Sequence, residues 1–259
     1  MSKARRSRPW VWGAGMLGLG LFAAACAAGP VRMASRPGPG RPAEKPGPWG
    51  TTIAVYDPSL FGPDVPLAKL IAARHLRLKD GKLKNVRLLV NKAQRRLELW
   101  AGRRMIKAYR IQLGWHAHGP KVRQGDQRTP EGRYVVCAHW PSTYDRGLWL
   151  SYPNAADARR GLSTGLVDPS QYRDILAKLE AGACPPMDTP LGGAILIHGE
   201  MPGEATGPAA RKEYQDWTDG CVALFTPDIR ELYEFVPDGA EVIIAANAAV
   251  TRPVPLTTR

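Results

Sequence analysis

Residues 86–113 read VRLLVNKAQRRLELWAGRRMIKAYRIQL, and this stretch decides the fold class. Three runs within it, Val86 to Val90, Arg95 to Trp100 and Met105 to Leu113, are apolar or alternate between apolar and polar side chains. A period of two sends successive side chains to opposite faces, so such runs read as strands. Asn91-Lys92-Ala93 and Ala101-Gly102-Arg103 lie between them and have the composition of turns. The stretch therefore predicts an antiparallel meander.

Working outward, Arg133 to Ala138, Leu148 to Tyr152, Ala194 to Ile197 and Glu241 to Ala246 read as further strands. Helical spacing appears in three places. Pro66 to Leu78 carries Leu67, Leu70, Ile71 and Leu78; Asp168-Pro169 is followed by Tyr172, Ile175, Leu176 and Leu179; Thr226-Pro227 is followed by Ile229, Leu232, Tyr233 and Val236. Asp168 is expected as an N-cap with proline at the first helical position. Strands dominate and helices serve as covers and connectors, so the predicted class is mainly β with α (α+β). The high counts of glycine (27) and proline (24) agree with a chain of strands and turns rather than a helical bundle.

At 259 residues with 44% hydrophobic content, the chain suffices for one domain with a sizeable core plus an appendage. Lys3, Arg5, Arg6 and Arg8 precede an apolar, Gly- and Ala-rich run from Val11 to Ala28, the pattern of a secretory leader over residues 1–28. Ala23-Ala24-Ala25-Cys26 offers a lipoprotein signal with Cys26 as the lipidated residue; cleavage after Ala28 and retention as a membrane anchor are the alternatives. Residues 29–50 contain Pro30, Pro37, Pro39, Pro42, Pro46 and Pro48 and read as a semi-rigid linker. An N-terminal helical extension is expected over 51–84, the main domain over 85–248 and a tail over 249–259. The expected location is outside the cytoplasm, in the periplasm or cell envelope, tethered through Cys26 or an uncleaved N-terminus. The net charge of +13 suits an anionic partner, but the charges are scattered and no groove-entering motif is visible, so nucleic acid is not expected.

Two segments carry the chemistry. Ala194-Ile195-Leu196-Ile197-His198-Gly199 is an apolar strand that delivers a histidine to its end; Asp216-Trp217-Thr218-Asp219-Gly220-Cys221-Val222-Ala223-Leu224 places glycine beside cysteine, between a loop and a forthcoming helix. A thiol needs its proton removed to become a nucleophile, and imidazole is the usual agent. Backbone N–H groups at Gly220 and Cys221 are then placed to bind an oxyanion. Cys137 and Cys184 either pair, as an oxidising compartment permits, or are two separate small buried residues. Cys221 is the odd cysteine in either case.

From Val86 to Ala246 the chain resembles a YkuD-type L,D-transpeptidase domain. The family's His-Gly and Ser/Thr-x-Gly-Cys motif reads here as His198-Gly199 and Thr218-Asp219-Gly220-Cys221. Gly125-Asp126-Gln127-Arg128-Thr129-Pro130-Glu131-Gly132-Arg133-Tyr134 is similar to the family's Gly-Asp-x-x-Thr-Pro-x-Gly-x-Tyr segment. Leu113-Gly114, Gly119-Pro120-Lys121 and Leu150-Ser151-Tyr152-Pro153-Asn154 fit as well. Within the family the chain most resembles the YafK-like, murein-processing branch, which has Asp-Trp-Thr-x-Gly-Cys and an alanine two residues past the cysteine, here Ala223. Most transpeptidases have a second histidine where Asp219 stands and Arg or Asn where Ala223 stands.

The resemblance implies a β-sandwich domain with a few covering helices and peptidoglycan stem peptides as substrate. It implies that Cys221 attacks a stem carbonyl, typically between meso-diaminopimelate and D-Ala, while His198 acts as base and then acid. The Gly199 carbonyl would orient the imidazole, and the Gly220 and Cys221 amides would bind the oxyanion of a thioester-forming step. An amine acceptor then gives transpeptidation or attachment of a wall protein, whereas water gives carboxypeptidase or amidase activity. Trp217 and Thr218 are expected to flank the site, and Asp219 to recognise a substrate amine or to cap a turn. Asp126, Thr129 and Gly132 are expected to build a turn, and Tyr134 to lie in the core. No cofactor and no metal are called for. Two rival classes are a zinc hydrolase using His116, His118, His139 and His198, for which no His-Glu-x-x-His exists, and a non-catalytic wall-binding module that keeps the fold.

Overall fold

The computed structural model describes residues 64–201 and 215–247. The leader, the linker, Cys26, the first part of the 51–84 extension and the C-terminal tail lie outside the described residues. Helix α1 (Leu67–Ala73) comes first, then a small hairpin of β1 (Leu78–Lys79) and β2 (Lys82–Leu83). The meander follows as β3 (Val86–Asn91), β4 (Arg96–Ala101) and β5 (Arg104–Gln112), and then β6 (Gly132–Ser142) and β7 (Asp145–Leu150). Helices α2 (Ala155–Ser163) and α3 (Pro169–Glu180) intervene before the short strands β8 (Leu196–His198) and β9 (Val222–Leu224). Helix α4 (Thr226–Phe235) and strand β10 (Glu241–Ala245) complete the order.

Eight strands form one closed ring in the order β10-β3-β4-β5-β9-β8-β7-β6. The expected sandwich and this ring are one object, because two long strands change partners halfway. In β5, Arg104 to Arg110 pair with β4, whereas Ile111 and Gln112 pair with β9. In β6, Gly132 to Val135 pair with β10, and Val136 to Ser142 pair with β7 across a register shift between Val136 and Ala138. A strand that switches sheets in this way turns a corner, and bulges are the usual device for it. Alternate residues Leu88 and Val90, Leu97 and Leu99, Tyr109 and Ile111, and Val242 and Ile244 fill the interior. Ile229, Leu232 and Phe235 of α4 join the same cluster. Each such side chain contributes about 1.5–3 kcal/mol when removed from water.

Three local differences from the sequence reading have physical causes. The first helix ends at Ala73 rather than Leu78, because His75 adopts a φ of 49° and the chain turns into the hairpin, leaving Leu78 42% exposed. Helix α2 was not anticipated; Asn154 starts it through a capping box with Asp157. A three-residue strand, β9, separates Cys221 from α4, where the sequence suggested only loop and helix. The expected cap at Asp168 is present, again as a capping box, with Pro169 in the first turn of α3. Helices α2 and α3 enclose a satellite core of Ala158, Val167, Ile175 and Leu191.

Cys137 and Cys184 are joined, with Cα atoms 5.2 Å apart and a sequence separation of 47. Cys137 lies in β6 at the register shift, and Cys184 lies in the loop between α3 and β8. The bond thus ties the segment leading into β8 to the corner of the ring. Replacing both cysteines by serine is expected to lower unfolding free energy by up to about 4 kcal/mol, the loop-entropy value for that separation. Urea titration of the variant against the wild type reads the difference directly.

Candidate active site

The two chemistry-bearing segments meet because β8 and β9 are neighbours. They pair in parallel with Ile197 opposite Val222 and His198 opposite Ala223. Ile197 and Val222 are fully buried in the core, so the residues flanking them, Leu196, His198 and Cys221, emerge on the other face. In this register Cys221 comes opposite Leu196, and His198 lies two residues on, on the diagonal from Cys221. The Leu196 N–H donates to Cys221 Sγ at 3.4 Å, and the thiol donates to the Ala194 carbonyl at 3.6 Å. An N–H aimed at sulfur favours the thiolate. The sulfur is half-buried, whereas His198 is 3% exposed.

His198 Nδ1 lies 2.7 Å from the Gly199 carbonyl oxygen. A carbonyl accepts only, so Nδ1 carries the proton and Nε2 presents its lone pair. Tyr144 stacks on the imidazole at 4.6 Å between centroids and 28° between planes, and Trp217 meets it edge-on at 5.6 Å. Burial among these rings pushes the His198 pKa down to about 4, only partly offset by the hydrogen bond to Gly199. The Gly199 N–H donates to the Tyr144 carbonyl at 3.0 Å, and a Cβ at Gly199 would stand 2.5 Å from that same oxygen. A side chain at this position cannot be accommodated without moving the turn that carries Tyr144.

The loop before Cys221 is braced from several sides. Trp217 and Thr218 N–H groups both donate to the Leu113 carbonyl at 3.1 Å, and Trp217 Nε1 donates to Gln112 Oε1 at 2.9 Å. The Asp216 carboxylate accepts from Arg95 Nε at 3.0 Å and from the Leu113 N–H at 2.8 Å. Thr218 is buried; its hydroxyl donates to the Cys221 carbonyl at 2.7 Å and accepts from the Gly220 N–H at 3.2 Å. The Gly220 amide expected to bind an oxyanion is therefore engaged by Thr218 in this state. Asp219 is exposed and accepts from Gln127 Nε2 at 3.4 Å, which joins the loop before Cys221 to the Gly125–Tyr134 segment.

That segment acts as a frame. Asp126 accepts from Lys121 Nζ at 2.8 Å and from the N–H groups of Val122, Arg123 and Arg128. Burial alone would raise its pKa, but these four donors outweigh it and hold the carboxyl below the usual range. Thr129 is fully buried and accepts from the Gly114 N–H at 3.0 Å. Lys92 Nζ donates to Gly119 O, Thr129 O and Glu131 Oε1 at 2.7–2.8 Å. Tyr134 is 2% exposed, with its hydroxyl on Asp157 and the Glu131 carbonyl. Asp126, Thr129 and Tyr134 are thus the turn and core residues the sequence suggested.

Tyr144, Ala194 and Leu196 were missed by sequence reasoning. Tyr144 sits in the two-residue turn between β6 and β7, and nothing in its linear surroundings marks it. Among the described residues no three His, Cys, Asp or Glu side chains converge in a metal-binding geometry. His139 is held by Asp238 and the Tyr233 carbonyl, and His116 by the Asp126 carbonyl.

With this geometry in place, the chain can be set beside known proteins. The family model described as the L,D-transpeptidase catalytic domain, YkuD, matches residues 85–244. No curated protein matches the chain. Solved structures similar to it include Bd1075 of Bdellovibrio bacteriovorus, at 20% identity and TM-score 0.40, covering 63% of this chain and 49% of that one. The helical cell shape determining protein Pgp2 of Campylobacter jejuni is 19% identical with TM-score 0.43, covering 70% and 55%. An L,D-transpeptidase from Xylanimonas cellulosilytica is 13% identical with TM-score 0.35, covering 70% of each chain. The chain thus spans about half the length of the first two.

Proposed function

The chain belongs to the YkuD family of L,D-transpeptidase catalytic domains, and from that premise we propose that it is a peptidoglycan-processing enzyme with Cys221 as nucleophile and His198 as base. The observation that carries this reading is the β8–β9 pairing, which sets the two side chains on one face, with the Ile197–Val222 pair between them. A YafK-like assignment rests on the Asp216–Cys221 motif and Ala223, and an exported, membrane-tethered location on the leader sequence.

At neutral pH His198 rests as the neutral imidazole, because burial lowers its pKa to about 4. The sulfur attacks a stem-peptide carbonyl as His198 Nε2 takes the thiol proton. The oxyanion is held by the Cys221 amide and by the Gly220 amide once it exchanges Thr218 Oγ1 for the substrate oxygen. The C–N bond breaks, His198 returns its proton to the departing amine, and a thioester on Cys221 remains. A stem amine that attacks this ester gives a cross-link, with His198 accepting its proton; water gives hydrolysis.

Incubation with muropeptides and mass spectrometry of both products and protein tests this reading. A thioester adduct on Cys221 with new stem dimers supports transpeptidation. The same adduct with shortened stems assigns carboxypeptidase or amidase activity. Absence of any adduct or product with a folded protein overturns the catalytic reading in favour of a wall-binding module.

The buried imidazole makes a pH prediction. Its folded-state pKa of about 4 lies below the ordinary 6.5, so as pH falls the unfolded chain takes up the proton first. The stabilisation is complete above pH 6.5, is lost as pH falls from there to about 4, and changes no further below. The expected loss across that window is about 3 kcal/mol. Urea unfolding of wild type and His198→Gln at both ends of the window measures it, and the variant should lack this component. The acid limb of kcat/KM is likewise expected near 4 rather than 6.5.

A further inference from the structure

Away from the nucleophile, four segments converge at one end of the β3–β4–β5 sheet. Arg74, just past α1, donates from Nη1 to the carbonyls of Met105 and Ile106 at 3.1 and 3.2 Å. The Lys84 N–H donates to the Arg77 carbonyl at 3.2 Å, and the Gly102 N–H donates to the Asn85 carbonyl at 2.8 Å. These bonds assemble the end of α1, the β1–β2 hairpin, the start of β3 and the β4–β5 turn into one surface. Its segments, residues 74–85 and 101–105, contain Arg74, Arg77, Lys79, Lys82, Lys84, Arg103 and Arg104 against a single acid, Asp80.

Lys82 turns inward and donates to the Tyr233 carbonyl at 2.8 Å. The other six are exposed, and among the described residues none of them has an ion-pair partner. Several cations elsewhere on these sheets are neutralised: Arg87 and Arg133 share Glu241, Arg96 faces Glu98, and Arg95 faces Asp216. Two large apolar side chains stand among the unpaired cations, Leu78 at 42% and Met105 at 40% exposure.

We propose that this end of the domain docks on the surface of an anionic lipid bilayer, with the six cations over lipid phosphates and Leu78 and Met105 entering the headgroup region. The apolar pair selects this partner. A hydrated polyanion offers an exposed leucine nothing to be buried against, whereas a bilayer interface offers both negative charge and an apolar boundary. Each basic residue near such a surface strengthens binding by about fivefold, and salt weakens the effect. The assignment is independent of the chemistry at Cys221.

The test uses the full chain in phosphatidylcholine vesicles with and without phosphatidylglycerol. Lysine acetylation is followed by mass spectrometry. Lys79 and Lys84 are expected to react at least about fivefold more slowly on the anionic vesicles, and high salt is expected to restore their rates. The double variant Arg103→Glu, Arg104→Glu is expected to lose that protection while matching wild type on neutral vesicles, which controls for its folding. Equal rates on the two vesicle types, protection that survives in the variant, or protection by a soluble anionic polysaccharide alone would each overturn the proposal.

Discussion

Alanine in place of Cys221 is expected to abolish the covalent adduct and to lower turnover of muropeptides by at least about 10⁴-fold, the scale seen when a nucleophile is deleted. His198→Ala is expected to leave the sulfur in place and lower kcat by about 10²–10⁴-fold, because only the assisted proton transfer is lost. The two effects should not add. A nucleophile and its base act as one unit, so the double variant should be no slower than Cys221→Ala alone. Intact-mass measurement of the acylated protein, alongside product analysis, checks both statements. An adduct that persists in Cys221→Ala would remove the nucleophile from the argument. A further drop on adding His198→Ala would show that the histidine acts elsewhere.

Gly220→Ala is expected to disturb both the fold and the site, since the added methyl meets a left-handed backbone and a fixed carbonyl at once. Gly220 has a φ of +137°, and a Cβ there would stand 2.7 Å from the Arg128 carbonyl oxygen and 3.3 Å from Ile195 Cδ1. Backbone strain of this kind costs about 1–3 kcal/mol, and forced overpacking adds a similar amount. The obstructing carbonyl belongs to the Gly125–Tyr134 frame, so relief requires moving that frame or the nucleophile loop. The expected outcome is a stability loss of about 2–4 kcal/mol in urea titration. A parallel fall in the rate of Cys221 alkylation is expected, since the displaced loop carries the sulfur away from the Leu196 N–H. Unchanged stability would mean that the loop has a second conformation that tolerates a side chain.

Much of this was legible in the linear chain. In the meander only β4 alternates cleanly, with Leu97 and Leu99 buried between more exposed neighbours, whereas β3 and β5 are buried on both faces over most of their length and announce themselves as short runs set between turns. The caps of α3 and the proline opening α4 are local signals, and local signals survive in a sequence. The pairing of Cys221 with His198 came from a motif rather than from periodicity, because β8 and β9 are three residues long and too short to show a period. Tyr144 was not legible, since its role arises from a turn brought against Gly199 by long-range packing. The extension of β6 to Ser142 was also hidden. Beyond Val136 the strand has left one sheet for the other, and its mixed burial gives no clean alternation. Helix α2 was obscured because the face it buries consists of Asp157, Ala158 and Gly161, which includes no large apolar residue to mark a period.

The closed ring has a consequence for the way the polypeptide matures. Its last strand, β10, is inserted between β3 and β6, parallel to the first and antiparallel to the second. Both neighbours precede it by more than a hundred residues or nearly so, and until Glu241–Ala245 arrives each presents an open row of amides and carbonyls. A chain interrupted between β6 and β10 therefore exposes two adhesive borders at once, and the arrival of β10 covers both. Strand β10 works as a clasp, and fragments lacking it should be sticky and short-lived.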